Sequence, residues 1–287
     1  MEITSVAWHD ISDPNAAELD ELAERYTLHS VHIKGCRTAG QRAKVEAADH
    51  YLFIVLKVLV LEENNQLTVG DLDLFVGSDF AITVHHTSVR VVEVLRQSGS
   101  DLRPDEVLYR LMDGVVDSYL PLLDEIQVRI DSLQGRAIRR TEPSLLEQLN
   151  ELRSTLLGLR RVLLNMRHVA FRLQHARSNL IGSELPPFLR DIHDHLAEDL
   201  DTISAERDRL AGIMDLYLSS VANRHTEAMR ALTLLGTAGL PALVISSFLG
   251  MNIRMPEWLN SSWAFDAVSG VTIALSTLLW MYLKRQY

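Results

Sequence analysis

The sequence predicts an α+β membrane protein: an N-terminal cytoplasmic α/β domain, a helical hairpin, one very long helix and a second C-terminal transmembrane helix. Three observations predict this fold class. Ala231–Ile253 contains no charged residue, and a helix of that length rises about 35 Å, enough to cross a bilayer core. Ala267–Leu283 is a second uncharged span. The preceding residues are charge-rich and numerous enough for one sizeable core or two modest ones.

The charges around the two spans predict their orientation. Basic residues flank the outer ends of the pair, namely Arg224, Arg230, Lys284 and Arg285. The connection between the spans carries Arg254 and Glu257, with Asp266 at the entry to the second span. Because cytoplasmic segments carry the excess of Arg and Lys, both termini should be cytoplasmic and the connection external. The alternative is a pair of buried core helices in a soluble protein, but the second span has no polar face.

Overall composition narrows the class of protein. The formal net charge of −10 argues against a nucleic-acid partner and is compatible with attracting cations. The first residues show no signal peptide, since they have neither a basic nor an apolar region. The single cysteine, Cys36, cannot form an intramolecular disulfide, in agreement with a reducing cytoplasm.

Residues 1–103 favour a mixed α/β domain. Ala16–Tyr26 has the apolar spacing of a short helix, and Tyr51–Leu61 is an almost unbroken apolar run typical of a central buried strand. Leu67–Phe75 and Phe80–His85 are predicted to follow as strands. His85, the last residue of the second of these strands, is followed by His86. The two side chains would point to opposite faces and so could not easily share one metal ion.

From Pro104 onward the apolar period becomes helical. The pattern runs through Tyr119 and restarts after Thr141-Glu142-Pro143, an ordinary helix start. We expect an antiparallel helical hairpin with solvated charges on its faces. This half contains no glycine-rich phosphate loop, nucleophile elbow or paired-cysteine zinc spacing, so the sequence gives little support to an enzyme.

A single helix is predicted from Phe188 to Gly250, because turn signals are almost missing and the only proline is Pro241. Such a helix would measure about 95 Å and would enter the membrane with its C-terminal part. Pro241 would lie within the bilayer, where it could bend the helix.

The predicted organisation therefore has seven parts. They are a cytoplasmic α/β domain (1–103), a cytoplasmic helical hairpin (104–186), a cytoplasmic stalk helix (187–230), a first transmembrane helix (231–250), an external loop (251–262), a second transmembrane helix (263–283) and a short basic cytoplasmic tail (284–287).

The start of the long helix carries the strongest candidate metal ligands. Asp191, Asp194, His195 and Glu198 recur at spacings of three and four, which places them on one stripe, and Asp215 follows nearer the membrane. Clustered carboxylates suit hard divalent cations. From spacing alone, a simple solvated face is the favoured interpretation.

Several motifs together resemble the CorA family of divalent-cation channels. They are Leu216–Arg224, Met229–Thr233, Gly250-Met251-Asn252, Met255-Pro256-Glu257 and, at the head of the long helix, Arg190–His195. The Gly-Met-Asn triplet closing the first of two C-terminal spans is that family's signature. A bare tripeptide is common by chance, but its position here is specific. The resemblance covers nearly the whole chain and is loose before residue 187.

The resemblance implies a homopentameric funnel whose first transmembrane helices line a central pore. One face of that helix has residues recurring at spacings of three and four: Met229, Leu232, Gly236, Leu240, Leu243, Ser247 and Gly250. By resemblance this face lines the pore, and Met229, Leu232 and Leu240 form hydrophobic constrictions that gate by dewetting. A generic helix–helix contact face is the alternative.

The same resemblance implies how ions are chosen. Gly250, Met251 and Asn252 would form a ring of neutral oxygens at the outer mouth, which holds a hydrated Mg²⁺ without trapping it. Glu257 would raise the local cation concentration. Mg²⁺ is then both substrate and regulator, and no cofactor or ATP site is expected.

Gating is also implied by resemblance. In the family, intracellular Mg²⁺ held by acidic residues between protomers closes the pore. Asp191 falls on the matching position and Asp215 on a second acidic ring. Asp194 and His195 are further candidates, whereas Asp71 and Asp73 are guesses for an N-terminal partner.

The chain departs from the usual family pattern at Leu249, Arg254, Thr226 and Leu243, which leaves the ion preference open. We expect a multi-pass protein of a bacterial-type inner (plasma) membrane whose partners are divalent cations, lipid and further copies of itself. A transporter of Zn²⁺, Co²⁺ or Ni²⁺ with the same architecture is an alternative. A non-conducting membrane sensor with this fold is another, and a membrane-anchored hydrolase is a distant one.

Overall fold

The computed structural model describes residues 7–61, 67–97, 102–139, 142–176, 179–251 and 262–286. The chain divides into two compact units, Met1–Met214 and Asp215–Tyr287. The first unit contains every described β-strand and the helices before the long one. The expected N-terminal α/β domain, long helix and second C-terminal helix are confirmed.

A five-stranded sheet forms the centre of the first unit. Its strands are β1 (Ala7–Ile11), β2 (Lys44–Ala47), β3 (Tyr51–Leu61), β4 (Leu67–Gly77) and β5 (Phe80–His85). They lie in the order β1-β5-β4-β3-β2, in which only the β1–β5 pair is parallel. β3 hydrogen-bonds to β2 on one side and β4 on the other, which confirms the prediction of an interior strand.

Alternation along β3 and β4 provides apolar side chains for both faces of the sheet. Short helices α1 (Ala17–Arg25) and α2 (Ser30–Cys36) share one core with Phe53, Phe75 and Ile82. The helices α4 (Pro104–Asp117) and α6 (Pro143–Gln174) contact the sheet as well. Buried Tyr119 donates its hydroxyl to the carbonyl oxygen of Lys57, which joins the helical segment to β3.

The predicted first helix of the hairpin is two helices. α4 ends at Asp117, Ser118 caps it, and α5 runs from Tyr119 to Arg139. Pro121 explains the interruption, because proline has no N–H to donate to the carbonyl of Asp117 and its ring crowds that turn. A further helix that periodicity did not indicate, α3 (Arg90–Gln97), packs beside α4. A Cβ on Gly114 would lie 2.7 Å from Cγ1 of Val91, so a larger residue there would displace the side chain of Val91.

The long helix α7 extends from Pro186 to Leu249 and continues through Pro241. Its part before Asp215 belongs to the first unit, and the remainder, with α8 (Ser262–Gln286), forms the second. Both helices contain windows apolar enough to cross a membrane, and the window in α7 has no buried residue. A core helix of a soluble protein would be mostly buried, so this exposure favours a lipid-facing or subunit-facing role.

The second unit is a pair of helices that face each other along one stripe each. Within residues 231–249 of α7 the least exposed residues are Leu234, Thr237, Ala238, Pro241 and Ile245. On α8 they are Ala264, Val268, Ser269, Thr272, Ser276, Leu279 and Leu283. Both stripes recur at spacings of three and four, the helical period.

Candidate ion pathway and acidic cluster

The predicted pore face of α7 lies on the side of the helix away from α8, except at Met229, which also lines a groove beside Leu283 of α8. At about 100° per residue, the partly buried stripe containing Ala238 and Ile245 lies roughly opposite the face containing Leu232 and Leu243. The apolar side chains of that face are exposed in the single chain, from 51% for Met229 to 64% for Leu232. Gly236 and Ser247 are exposed on it too. Nothing charged is on this face between Ala231 and Leu249.

The helix ends where the signature triplet begins. α7 closes at Leu249, and the N–H groups of Gly250 and Met251 still donate to the carbonyls of Ser246 and Phe248, at 2.9 and 3.3 Å. Gly250 and Met251 therefore continue directly from the C-terminal end of α7. Asn252, Arg254 and Glu257 lie outside the described residues.

The first unit contains an acidic cluster between two helices. We define it as Asp113 and Asp117 of α4 with Asp191, His195 and Asp199 of α7. The rings of Tyr109 on α4 and Phe188 on α7 make a tilted contact at this point, with centroids 5.3 Å apart. His195 Nε2 lies 3.9 Å from Oδ2 of Asp191, one helical turn away.

Partial burial and mutual repulsion raise the pKa values of two carboxyl groups in this cluster, those of Asp113 and Asp199. Burial, together with Glu198 and Asp117, raises the pKa of Asp199 to about 6, while His195 acts in the opposite direction. Burial and then Asp117 raise the pKa of Asp113, with Asp191 adding to the effect. Carboxylates that resist ionisation in this way gain from a nearby cation, because opposite charge favours the charged form.

The other predicted ligands of α7 are placed differently. Asp194 is exposed and contacts Arg190 and His193 of its own helix, at 3.9 and 3.2 Å. Asp215 is exposed in the second unit. Across the described ranges of this single chain, no three His, Cys, Asp or Glu side chains converge closely enough to hold a metal ion. The regulatory site was predicted between protomers, so these residues stay predictions.

The guessed N-terminal partners, Asp71 and Asp73, are interior residues. Asp71 is ion-paired with Lys57 and accepts the N–H groups of Gly40 and Gln41, at 2.8 and 3.0 Å. Asp73 is buried, and burial raises its pKa to about 6. Strand alternation placed both carboxylates on an inward face of β4, so neither is available to Asp191.

Sequence reasoning missed Asp113 and Asp117. They stand four residues apart on α4, a spacing that puts two carboxylates on one helical face. That signal was present in the sequence, but only the packing of α4 against α7 turns it into part of a cluster with Asp191.

A family model described as CorA-like Mg²⁺ transporter protein matches residues 4–285 of the chain. The chain belongs to the CorA family. This membership confirms the resemblance and makes the protein a divalent-cation transporter of the membrane rather than an enzyme.

Relatives and solved structures agree with the family. The chain is 29% identical to the cobalt/magnesium transport protein CorA of Thermotoga maritima, over 97% of this chain and 82% of that protein. It is 29% identical to the putative metal ion transporter YfjQ of Bacillus subtilis, over 99% and 91%. The complete CorA magnesium transporter structure of Methanocaldococcus jannaschii superposes with a TM-score of 0.88, covering 99% and 92% at 19% identity. The full-length CmaX structure gives 0.77, covering 99% and 90% at 17% identity.

Proposed function

We propose that this CorA protein is a homopentameric channel that admits Mg²⁺ through the inner (plasma) membrane, with both termini in the cytoplasm. The observation that carries the proposal is the uncharged face of α7, exposed in the single chain and turned away from α8. Two spans per chain cannot enclose a hydrophilic path, so a path needs several copies. Five such faces around one axis would supply the wall of a pore.

The apolar side chains of the proposed pore face explain how the pore could open and close by filling with water or expelling it. Met229, Leu232 and Leu240 present large apolar side chains on the face, and an apolar constriction expels water when it is narrow. Gly236 and Ser247 occupy less space and leave wider intervals. A hydrated ion crosses only when the apolar rings move apart.

We place the selection of the ion at the C-terminal end of α7. Gly250 and Met251 follow directly after the exposed face, so a ring of Asn252 amides and Gly250 carbonyls would stand at the outer mouth. Neutral oxygens suit an ion that keeps its waters, as Mg²⁺ does. A potential of 100 mV, negative inside, contributes about 4.6 kcal/mol to moving two charges inward, which removes the need for ATP.

We attribute closure of the pore to the acidic cluster. Beyond the effect of burial, Asp117 and Asp191 raise the pKa of Asp113, and Asp117 also raises that of Asp199, so these carboxylates repel one another. Cytoplasmic Mg²⁺ bound there, with groups from a neighbouring subunit, would offset the repulsion and favour a symmetric closed state. Asp215, exposed on α7, would form a second acidic ring.

Co²⁺ is the second candidate cargo. The relatives from Thermotoga maritima and Methanocaldococcus jannaschii are both named cobalt/magnesium transport proteins. Both ions are divalent, and a ring of neutral oxygens holding a hydrated ion separates them weakly.

The test is ion flux into proteoliposomes loaded with a Mg²⁺-sensitive dye, with Co²⁺ and Zn²⁺ run in parallel. We expect Mg²⁺ entry that depends on an inside-negative potential and falls at high internal Mg²⁺. Asn252→Ala should abolish entry and leave the pentamer intact by light scattering. Asn150→Ala, an exposed asparagine of α6, is the matched control.

Normal entry through the Asn252→Ala protein would refute the selectivity ring. Entry of Zn²⁺ or Co²⁺ without Mg²⁺ would reassign the cargo. No flux of any cation would indicate a sensor that keeps the architecture without conducting.

A further inference from the structure

A groove of about 240 Å³ lies between α7 and α8 at the basic end of the helix pair. Its lining consists of Thr226, Met229, Arg230, Thr233, Leu234 and Leu283. All of these belong to the second unit. The groove lies where the uncharged spans of α7 and α8 end and charged residues begin.

The groove has a polar end and an apolar end. Arg230 is the last charged residue before the uncharged span of α7 and provides a guanidinium, which suits phosphate because of its planar set of N–H donors. The hydroxyls of Thr226 and Thr233 donate to the carbonyls of Ala222 and Met229, at 2.9 and 2.8 Å, and so belong to the helix. Leu234 and Leu283 form the apolar end.

The neighbouring part of α8 adds positive charge at the same level. Lys284 follows Leu283 directly, and its Nζ lies 4.9 Å from the ring centroid of Trp280. Arg285 is next in the chain. Tryptophan beside lysine is the arrangement found at the membrane–water interface. The only acidic residue of α8, Asp266, is at its opposite end.

We propose that this groove binds an anionic phospholipid, with the phosphate headgroup at Arg230 and Lys284 and an acyl chain along the apolar end. One guanidinium in the lining, two further cations that follow Leu283 in the chain, and an apolar wall match a ligand that is charged at one end and hydrocarbon at the other. A free phosphate ion would leave the apolar end uncovered. The proposal rests on insertion of the helix pair into a membrane and is independent of which ion the protein transports.

Native mass spectrometry of the full-length protein in detergent tests it, with phosphatidylglycerol and phosphatidylcholine of identical acyl chains titrated separately. We expect the wild type to bind phosphatidylglycerol more tightly. Arg230→Gln should lower that affinity about fivefold, the effect of one basic residue at an anionic membrane surface. Affinity for phosphatidylcholine should stay unchanged. Lys284→Gln provides a second, independent variant with the same expected direction.

Arg224→Gln is the matched control. It removes the same charge from an exposed position of α7, 6 residues before Arg230, outside the groove. We expect its affinity to remain close to that of the wild type, and Arg230→Lys to lose less affinity than Arg230→Gln. The same spectra report the oligomer's mass, which separates lipid loss from misassembly.

Three results would overturn the proposal. The first is equal binding of the two lipids by the wild type. The second is an equal loss in Arg224→Gln and Arg230→Gln, which would indicate general surface charge. The third is displacement of the lipid by glycerol 3-phosphate at equal concentration, which would indicate a site for the phosphate group alone.

Discussion

Nε2 of His85 lies 3.2 Å from Oδ1 of Asp10 and joins the end of β5 to its parallel neighbour β1. The other ring nitrogen, Nδ1, lies 2.7 Å from the carbonyl oxygen of Thr87. Both ring nitrogens thus face acceptors, and only the imidazolium has two N–H groups to satisfy them. The hydrogen bond to Asp10 accordingly raises the pKa of His85 against the opposing effect of burial.

Asp10 shows the complementary shift. Burial alone would raise the pKa of Asp10, but the hydrogen bonds from His85 and Thr83 outweigh burial and lower it. Thr83 Oγ1 donates to Oδ1 of Asp10 at 2.7 Å, and Arg96 Nη1 lies 3.5 Å from Oδ2. The carboxylate is therefore held ionised between three partners.

The first prediction is a pH dependence of stability that His85 and Asp10 share. A raised histidine pKa stabilises the fold fully below about pH 6.5, the unfolded value, and the stabilisation is lost as pH rises through the folded value. A lowered aspartate pKa stabilises above about pH 3.9 and is lost as pH falls through the folded value. The pair should therefore stabilise the fold most between about pH 4 and 6.5.

His85→Gln should remove the alkaline part of this dependence and destabilise the first unit by about 2 kcal/mol at pH 6, the worth of a hydrogen bond to a charged group. The thermal midpoint from pH 5 to 9, compared with the wild type, measures it. His168→Gln, at an exposed position of α6, is the control. Identical pH profiles for wild type and His85→Gln would contradict the prediction.

Lys57 and Asp71 form a cross-strand ion pair inside the sheet, where both residues are buried. Asp71→Asn should lower the free energy of unfolding by about 3–5 kcal/mol, because it leaves the ammonium of Lys57 buried without a counter-charge. Asp79→Asn, in the exposed turn before β5, should have little effect. Thermal unfolding in detergent compares the two.

A double variant separates the loss of pairing from a general loss of packing. Lys57→Met together with Asp71→Asn removes both charges, and the amide oxygen at position 71 can still accept the N–H groups of Gly40 and Gln41. We expect the double variant to be more stable than Asp71→Asn alone. A double variant at least as unstable as the sum of both single changes would show that the buried charge is not the cause.

Local patterns in the sequence identified the elements, and tertiary packing identified the partners. The apolar run of β3 is visible along the chain because both faces of that strand are buried, and the apolar spacing of α1 is visible because burial repeats with the helical period. The interruption at Ser118 depends on one missing N–H at Pro121, which apolar spacing does not register. Asp71 shows the same limit, since strand alternation gives its face but not Lys57 as its partner.

The acidic cluster yields the third prediction. Asp113→Asn removes one of the mutually repelling carboxylates of the cluster, so it should raise the thermal midpoint in the presence of EDTA. It should also reduce the increase in midpoint that Mg²⁺ produces, since there is less repulsion for the cation to offset. Asp201→Asn, exposed on α7 and outside the cluster, should change neither value. An unchanged Mg²⁺ response in Asp113→Asn would separate the cluster from cation binding.

The last prediction concerns the wall of the proposed pore and compares two neighbouring leucines of α7. Leu232 lies on the predicted pore face and is 64% exposed, and Leu235 lies on another face and is 74% exposed. Leu232→Ser should let water enter an apolar constriction and increase the basal Mg²⁺ flux, because dewetting closes such a constriction. Leu235→Ser makes the same chemical change where no water path is expected. Flux into proteoliposomes at high internal Mg²⁺ is the most sensitive condition, since the wild type is then expected to be closed. A higher flux through Leu235→Ser than through Leu232→Ser would place the pore on a different face of the helix.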